Sequence, residues 1–426
     1  MHYIIRKIKN FRSPTELKEW MICYLVSVAP VSNIIYNIAL PQIAESFEQS
    51  LVAAQKGNTV YFIGFTLGII ILSPISDKYG RRTVVLFGVL LYCISIPLAI
   101  YAANFHTFLL ARFILAVGAS VGSSITQTIV RETYEEKDLI RAYAQTALYI
   151  TLTPAIFAIF TGYMIEYLNW HSLFLIVFFI SFVILILFLF KLPETNLKDV
   201  IEHQEICKQH VEQSMESGVY QKFFAKCWAF FKLYKGIIFN LEIIRNSLFI
   251  GVMSGILFSI NIVTPILLNY YTDWNTSVVG YILFFLTIAH GFGNFTIKKT
   301  RKTIVEFKII TSSLACMFAV MALISAAIMY GNHNIWFYIL ATALHFYLHG
   351  ALMPILIKNA NPSKSKTKKA TVASVVSGLY YAIASLIVFF ASKLQSNFTL
   401  VYLFFCVLVL LLNLIMKFAD GNVQKT

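Results

Sequence analysis

The sequence predicts an all-α, polytopic membrane protein with twelve transmembrane helices in two pseudo-symmetric six-helix bundles, and three observations carry that prediction. The chain has 426 residues and is 58% hydrophobic but only 13% charged, about half the charged share of a soluble globular domain, which excludes a water-soluble fold. Apolar runs of about 18 residues or more recur from Trp20 to Met416, long enough for bilayer-spanning helices and too long for barrel strands; an open sheet would leave its edge amides unpaired in hydrocarbon. The longest polar connection, residues 191–245, divides the runs six and six.

The first 19 residues are polar and basic, and the run behind them, helix 1 at 20–40, has no small-residue cleavage site, so it is expected to remain as a span. Helices 2 to 6 follow at 59–76, 84–103, 107–130, 142–165 and 170–190, and complete an N-terminal bundle over 1–190. The 191–245 connection starts polar with mixed charge, then interleaves Phe223, Phe224, Trp228, Phe230 and Phe231 with Lys222, Lys226, Lys232 and Lys235. That second part reads as an interfacial helix on the inner leaflet; an ordinary solvated linker is the alternative. Helices 7 to 12, at 246–268, 276–297, 304–330, 334–357, 370–392 and 396–416, form a C-terminal bundle over 246–426.

Orientation follows from Lys and Arg, which are held on the cytoplasmic side during insertion. Of the 34, 30 lie in alternate segments beginning with the N-terminus, while the opposite loops carry only Lys56 and Lys393 and the helices themselves Arg112 and Lys308. Both termini are therefore expected to be cytoplasmic. The net charge of +14 is spread over short loops and not over one face, so membrane lipids and not nucleic acid are its expected partners, with Lys364, Lys366, Lys368 and Lys369 against anionic headgroups. The six cysteines form no CxxC pair, which indicates neither a disulfide framework nor a zinc site, and no nucleotide-binding loop is present. No cofactor and no metal is expected.

Between helices 2 and 3 stands Ser73-Pro-Ile-Ser-Asp77-Lys78-Tyr-Gly80-Arg81-Arg82. A glycine in this short turn permits positive φ, the acid can accept from helix N-terminal amides, and the basic residues hold the loop at an anionic leaflet. The same spacing returns 220 residues later as Gly293-Asn-Phe-Thr-Ile297-Lys298-Lys-Thr300-Arg301-Lys302, a degenerate internal repeat that supports two related bundles. The first loop resembles the hallmark loop of the major facilitator superfamily, with Ser73 in place of the leading glycine. Helix 4 (Arg112 to Gly122, then Ile129-Val130-Arg131-Glu132), Pro154, Gly162 and Asn169-Trp170 around helix 5, and Leu192-Pro193-Glu194-Thr195 after helix 6 resemble the Bcr/CflA branch of drug:proton antiporters. The resemblance covers helices 1 to 6 well and helices 7 to 12 loosely. In two places the sequence departs from it. Ile34 stands where that branch carries an acid in helix 1, and Thr151, Ala158 and Thr161 replace Gly, Pro and Gly in helix 5.

The resemblance implies a monomeric secondary transporter of a bacterial inner membrane, not an enzyme. It would move a small-molecule substrate by alternating access, with protons as coupling ion, in multidrug or metabolite efflux. An importer or facilitator of a small anionic or neutral metabolite is the alternative, favoured by Ile34, and a ligand sensor that moves nothing is a remoter one. The resemblance also makes Arg112 the helix-4 arginine implicated in coupling or substrate binding, and sets Asp77 near the start of helix 11 as a latch. Asp77 with Lys78, Gly80, Arg81, Arg82 and Arg131 would then close the inner mouth in one state; charge that merely sets topology is the alternative.

Arg112 starts about 7 Å inside helix 4, where a membrane arginine normally faces a cavity or a partner, unless it snorkels outward. With Asn33, Tyr36, Asn37 and Asn261 it makes a candidate cavity without acids, better suited to neutral or anionic solutes than to cations. His290 in helix 8 and His345 with His349 in helix 10 lie near mid-membrane, the last two on one face. They are packed structural histidines, or a proton pathway, or, least well supported without a carboxylate or Cys at ligand spacing, a metal site. Gly118 with Gly122, and Pro154 with Ala158 and Gly162, form small-residue faces for close helix packing or for bending at Pro154.

Overall fold

The computed structural model describes residues 19–134, 136–195, 241–296, 303–329, 334–360, 369–394 and 397–423. The expected interfacial helix at 220–235, most of the second hallmark-like loop and the lysine cluster at 364–368 lie outside them.

Among the described residues twelve long helices run in chain order: α1 Glu19–Ser46, α2 Lys56–Tyr79, α3 Arg81–Ile100, α4 beginning at Phe105, α5 Glu136–Tyr167 and α6 Trp170–Lys191, then α7 Leu241–Tyr271, α8 Thr276–Thr296, α9 Thr303–Met329, α10 Ile335–Ala360, α11 Lys369–Leu394 and α12 Phe398–Val423. Ten are long and apolar enough to cross a membrane, and α9 and α12 contribute the shorter described apolar stretches Ser312–Ile328 and Phe398–Leu414. This is the all-α, polytopic class that the apolar runs predict.

Local chemistry sets the ends. Asn104 and Asn169 cap α4 and α6 by accepting from the amides of Thr107 and Ser172 at 2.9 and 3.3 Å. α1 continues beyond the expected end at 40, through Pro41, because its last turn is tied down: Gln42 donates to Ile165 O at 3.0 Å and accepts from Trp170 N at 2.9 Å, and Trp170 Nε1 donates to Ser46 Oγ at 2.8 Å. Three side-chain bonds thus clamp α1 to the turn between α5 and α6.

Helix 4 is not the continuous span expected. It runs Phe105–Ala119, tightens into a 3-10 turn at Ser120–Gly122, breaks at Ser123 (φ −90, ψ −98) and resumes as Ser124–Thr133. Backbone freed inside a membrane must find other partners, and here Thr126 Oγ1 donates to Val121 O at 3.2 Å while Ser123 N reaches Ser120 O at 3.0 Å.

Helix packing repeats between the halves. In the first, α1 packs on α5, α2 on α4, and α3 on α4 and α6; in the second, α7 packs on α11, α8 on α10, and α9 on α10 and α12. Advancing each helix by six turns the first set into the second, which is the pseudo-symmetry expected of two related bundles. Across the halves the principal contacts are α2 with α11 and α5 with α8, a pair that the same shift exchanges. Phe62 stacks on Phe258 at 4.8 Å and Phe65 meets Tyr381 edge-on at 4.7 Å, so aromatic faces from α2, α7 and α11 join the halves. α6 leaves Phe179, Phe182, Val183, Leu189 and Phe190 exposed, a flank suited to lipid.

Candidate functional site

Two turns into α4, Arg112 is fully buried. Its guanidinium carbon lies 4.1 Å from the centre of the Tyr36 ring of α1 and 4.8 Å from that of Tyr61 of α2. Each ring is fixed by its hydroxyl: Tyr36 donates to Ala54 O at 2.6 Å and Tyr61 to Ala29 O at 2.9 Å. The ring faces offset the charge without occupying its N–H groups, and Nε and Nη2 have no hydrogen-bond partner. Among the described residues no carboxylate forms an ion pair with Arg112. Burial rules out the outward snorkel.

Ser32 of α1 and Tyr92 of α3 share a 2.5 Å hydrogen bond and, with Arg112, supply the polar lining of a cavity that holds about one water molecule. Ile35, Ile96, Leu115, Phe174 and Val177 complete its walls. The structure therefore offers a planar cation with free donors beside a hydroxyl pair in an apolar enclosure, a setting that favours a neutral or anionic hydrogen-bond acceptor over a second cation.

Of the residues expected with Arg112, Tyr36 is brought to it and the asparagines are not shown touching it. Asn37 accepts from Asn58 Nδ2 at 2.9 Å, half-buried Asn33 has its Oδ1 enclosed without a partner, and Asn261 on α7 donates back to Leu257 O of its own helix at 3.2 Å. Tyr61, Tyr92 and Asn58 are not distinguishable as site residues in the sequence, since an aromatic or amide within an apolar run carries no local mark of what it will face.

Near the basic ends of the spans a second cluster centres on Arg81. Its guanidinium reaches Asp77 at 2.5 Å, Ser76 Oγ at 2.6 Å and Glu132 Oε1 at 3.1 Å. Glu194, from the segment after α6, accepts from the amides of Arg81 and Arg82 at 2.8 and 3.0 Å and so caps α3. Thr195 donates to Glu132 Oε2 at 2.6 Å, and Arg82 Nη2 to Leu189 O at 2.6 Å. Gly80, the single residue between α2 and α3, has φ +94, and a Cβ there would run into the Glu194 carboxylate. Lys78 lies over the ring of Tyr79 at 5.1 Å.

The expected membership of this cluster needs correcting. Both residues are exposed, and Glu132, not Arg131, is the α4 residue whose side chain is described as meeting Arg81. Every described partner of Arg81 belongs to the N-terminal half, and these bonds form a clasp among α2, α3, α4 and the chain after α6; Asp77, Arg82 and Glu194 make further interactions besides.

In the second half, His290 Nε2 of α8 lies 3.2 Å from His349 Nδ1 of α10, and fully buried His345 has neither ring nitrogen partnered. This contact depends on a close crossing, because a Cβ on Gly350 would collide with His290 O and one on Gly293 with Tyr347 O. No group of three His, Cys, Asp or Glu among the described residues could hold a metal ion.

The small residues sit at contacts of the same kind. Gly118 abuts the backbone of Gly88 and Tyr92 on α3, Gly122 that of Leu25 on α1, and Gly162 that of Thr276, Ser277 and Gly280 on α8. Pro154 lies within α5, which remains helical through it.

Comparison with known proteins agrees with this architecture. The family model described as Major Facilitator Superfamily matches residues 21–392. An uncharacterized transporter of Rickettsia bellii (strain RML369-C) is 30% identical over 401 residues, which cover 91% of this chain and 93% of that one. The chloramphenicol resistance protein CraA of Acinetobacter baumannii is 29% identical over 141 residues, 33% of this chain and 34% of its own length. The crystal structure of the human organic anion transporter MFSD10 (TETRAN) superposes with a TM-score of 0.62 at 13% identity, covering 94% of this chain and 100% of that chain, a likeness of fold.

Proposed function

This chain belongs to the Major Facilitator Superfamily, a multi-pass membrane transporter family, and from that premise we propose that it is a proton-coupled exporter of small neutral or anionic organic solutes in a bacterial inner membrane, with both termini cytoplasmic. The observation that carries the substrate class is Arg112, fully buried, with two donor atoms unpaired and with tyrosine faces instead of a carboxylate as its counterpart. An uncompensated guanidinium in low dielectric repels cations and recovers its lost hydration by binding an acceptor. The enclosure beside Arg112 is lined by α1, α3, α4 and α6 of the first half, and in this reading alternating access opens it toward the solute path between the halves. Export, and the kinship with the Bcr/CflA branch, are supported by the partial match to the A. baumannii resistance protein and by the Leu192-Pro193-Glu194-Thr195 segment that caps α3.

A second reading, an importer or facilitator of a small anionic or neutral metabolite, is favoured by one observation: Ile34 stands on α1 where an exporter of that branch has an acid. Flux of a panel of cationic, neutral and anionic solutes into inside-out and right-side-out vesicles separates the two by direction. In the same assay Arg112→Gln is expected to reduce flux of neutral and anionic members at least about tenfold, the loss of one charged hydrogen bond. Strong selectivity for lipophilic cations, unaffected by Arg112→Gln, would overturn the proposal.

A further inference from the structure

One polar stripe in the second half has no part in the solute site. Tyr338, Thr342, His345 and His349 follow one another on α10 at intervals of four, three and four residues, which aligns them on one helical face. All four are buried, the last three at 0, 0 and 2% exposure. Neighbouring helices add to the stripe: the Thr264 hydroxyl of α7 shares a 3.0 Å hydrogen bond with Tyr338, Tyr402 of α12 donates to Tyr338 at 2.6 Å, and His290 of α8 meets His349 at 3.2 Å. Thr342 Oγ1 lies close to the Tyr338 hydroxyl without meeting hydrogen-bond geometry, and both nitrogens of His345 are unpartnered. At 1.5 Å per residue the stripe is about 16 Å long, roughly half the hydrocarbon thickness.

Packing alone gives no reason for this composition. An apolar side chain at 342 or 345 would fill the same volume without burying an unpaired polar atom. A metal is not its purpose either, as the described residues provide no three-ligand group. Imidazole is the one side chain whose ordinary titration falls near neutral pH, and hydroxyls at hydrogen-bond spacing can pass a proton.

We propose that His345, His349 and His290 are the proton-binding station of this transporter, reached through Thr342 and the Tyr338–Tyr402–Thr264 hydroxyls from the face opposite the basic loops. The proposal rests on the transporter reading above and supplies the coupling group that Ile34 cannot. A neutral imidazole has one N–H and one lone pair. A proton arriving at a free nitrogen of His345 makes an imidazolium, which, once its ring turns toward His349 one turn along α10, gives up its other proton to the unpartnered Nε2 of His349. With His349 carrying the charge, its Nδ1–H moves along the 3.2 Å contact to the lone pair of His290 Nε2, and His290 releases a proton from Nδ1. Each ring gains one proton and loses one, and rotation of the neutral rings resets the tautomers.

Little else nearby titrates. On the helices packed against α10, α7 carries no charged group between Arg245 and Tyr270, α8 carries Tyr281 besides His290, and α9 carries Cys316 beyond Lys308; α12 has Tyr402 and Cys406, with Lys417 and Asp420 in its last two turns. Tyr281 is exposed on the outer surface, leaving His290 and Tyr402 as the described titratable neighbours in contact with the stripe. Among the described residues no carboxylate balances a protonated station. Its charge therefore favours the conformation that brings water or an anionic solute close, and this provides a physical basis for coupling.

Purified protein in proteoliposomes separates coupling from translocation. His345→Gln and His349→Gln, singly and together, are expected to lower solute accumulation driven by a pH gradient about tenfold, while counterflow exchange at equal pH, which needs no net proton movement, stays within about twofold. Thr342→Val, which interrupts the file and keeps every histidine, is expected to slow the driven flux only. Unchanged accumulation and proton movement in the double variant would overturn the proposal. Absence of counterflow in the wild-type protein would instead overturn the transporter reading. Hydrogen–deuterium exchange at histidine C2, read by mass spectrometry, tests the station without any solute: a sigmoidal pH dependence is expected at His345 and His349, and complete protection from pH 5 to 9 would contradict it.

Discussion

The Arg81 clasp makes a quantitative prediction that runs against the ranking suggested by the hallmark loop. By that motif Asp77 is the principal acid. In the structure Glu132 lies 3.1 Å from a guanidinium whose side chain is 4% exposed, and is itself 24% exposed, whereas Asp77 is 43% exposed and shares a single helical turn with Arg81. At an effective dielectric of about 20 the Glu132 pair would have a Coulomb energy near 5 kcal/mol. Solvent screening, the desolvation cost and the remaining Asp77 reduce the net effect of Glu132→Gln to about 1–2 kcal/mol. An exposed pair one turn apart in a helix is worth about 0.5 kcal/mol, so the Arg81–Asp77 pair is expected to contribute that or less to the effect of Asp77→Asn. For a chain of this length 1 kcal/mol corresponds to about 1 °C in the melting midpoint. Double-mutant cycles of each acid with Arg81, read by thermal unfolding of the detergent-purified variants, should therefore give a coupling of about 1–2 °C for Glu132 and within about 0.5 °C for Asp77. A coupling of Asp77 to Arg81 equal to or greater than that of Glu132 would refute the clasp.

Three further outcomes are expected. Glu194→Ala removes two charge-assisted bonds from the first amides of α3 and should cost about 2–3 kcal/mol in the same melting experiment; Gly80→Ala should cost a comparable amount, since it adds a Cβ at φ +94 against that carboxylate. Tyr36→Phe keeps the ring under Arg112 and deletes only the 2.6 Å bond to Ala54 O, so stability should fall by about 1 kcal/mol with solute selectivity unchanged in a flux panel. Gly162→Leu has no room against Thr276 and Gly280 of α8 and should separate α5 from α8, cutting transport at least about tenfold while the protein still reaches the membrane in normal amount.

Much of the fold was legible because the bilayer imposes it. Runs of apolar residues depend on composition along the chain, and they mark the helices, whose packing then repeats between the halves. The break in α4 was not legible: Gly118, Ser120, Gly122 and Ser123 read equally well as a small packing face, and only the bonds of Thr126 and Ser123 reveal an interruption. Arg112 stood out as a charge inside a span, yet its counterparts Tyr61 and Tyr92 looked like any core aromatic. Glu132 was passed over in favour of its neighbour Arg131 because the choice depends on helix rotation, which one sequence does not specify. For the histidines, spacing alone put His345 and His349 on one face, but the His290 contact arises from the Gly293–Gly350 crossing, a tertiary event.

The central claim is that this chain moves small neutral or anionic solutes in exchange for protons. Its most direct test is flux in proteoliposomes under an imposed pH gradient, with solute movement and lumenal pH recorded together for a panel of cationic, neutral and anionic compounds. The account predicts proton movement in fixed proportion to the flux of at least one neutral or anionic member, in the direction of antiport. Solute flux that leaves lumenal pH unchanged, or flux confined to cations, would contradict it.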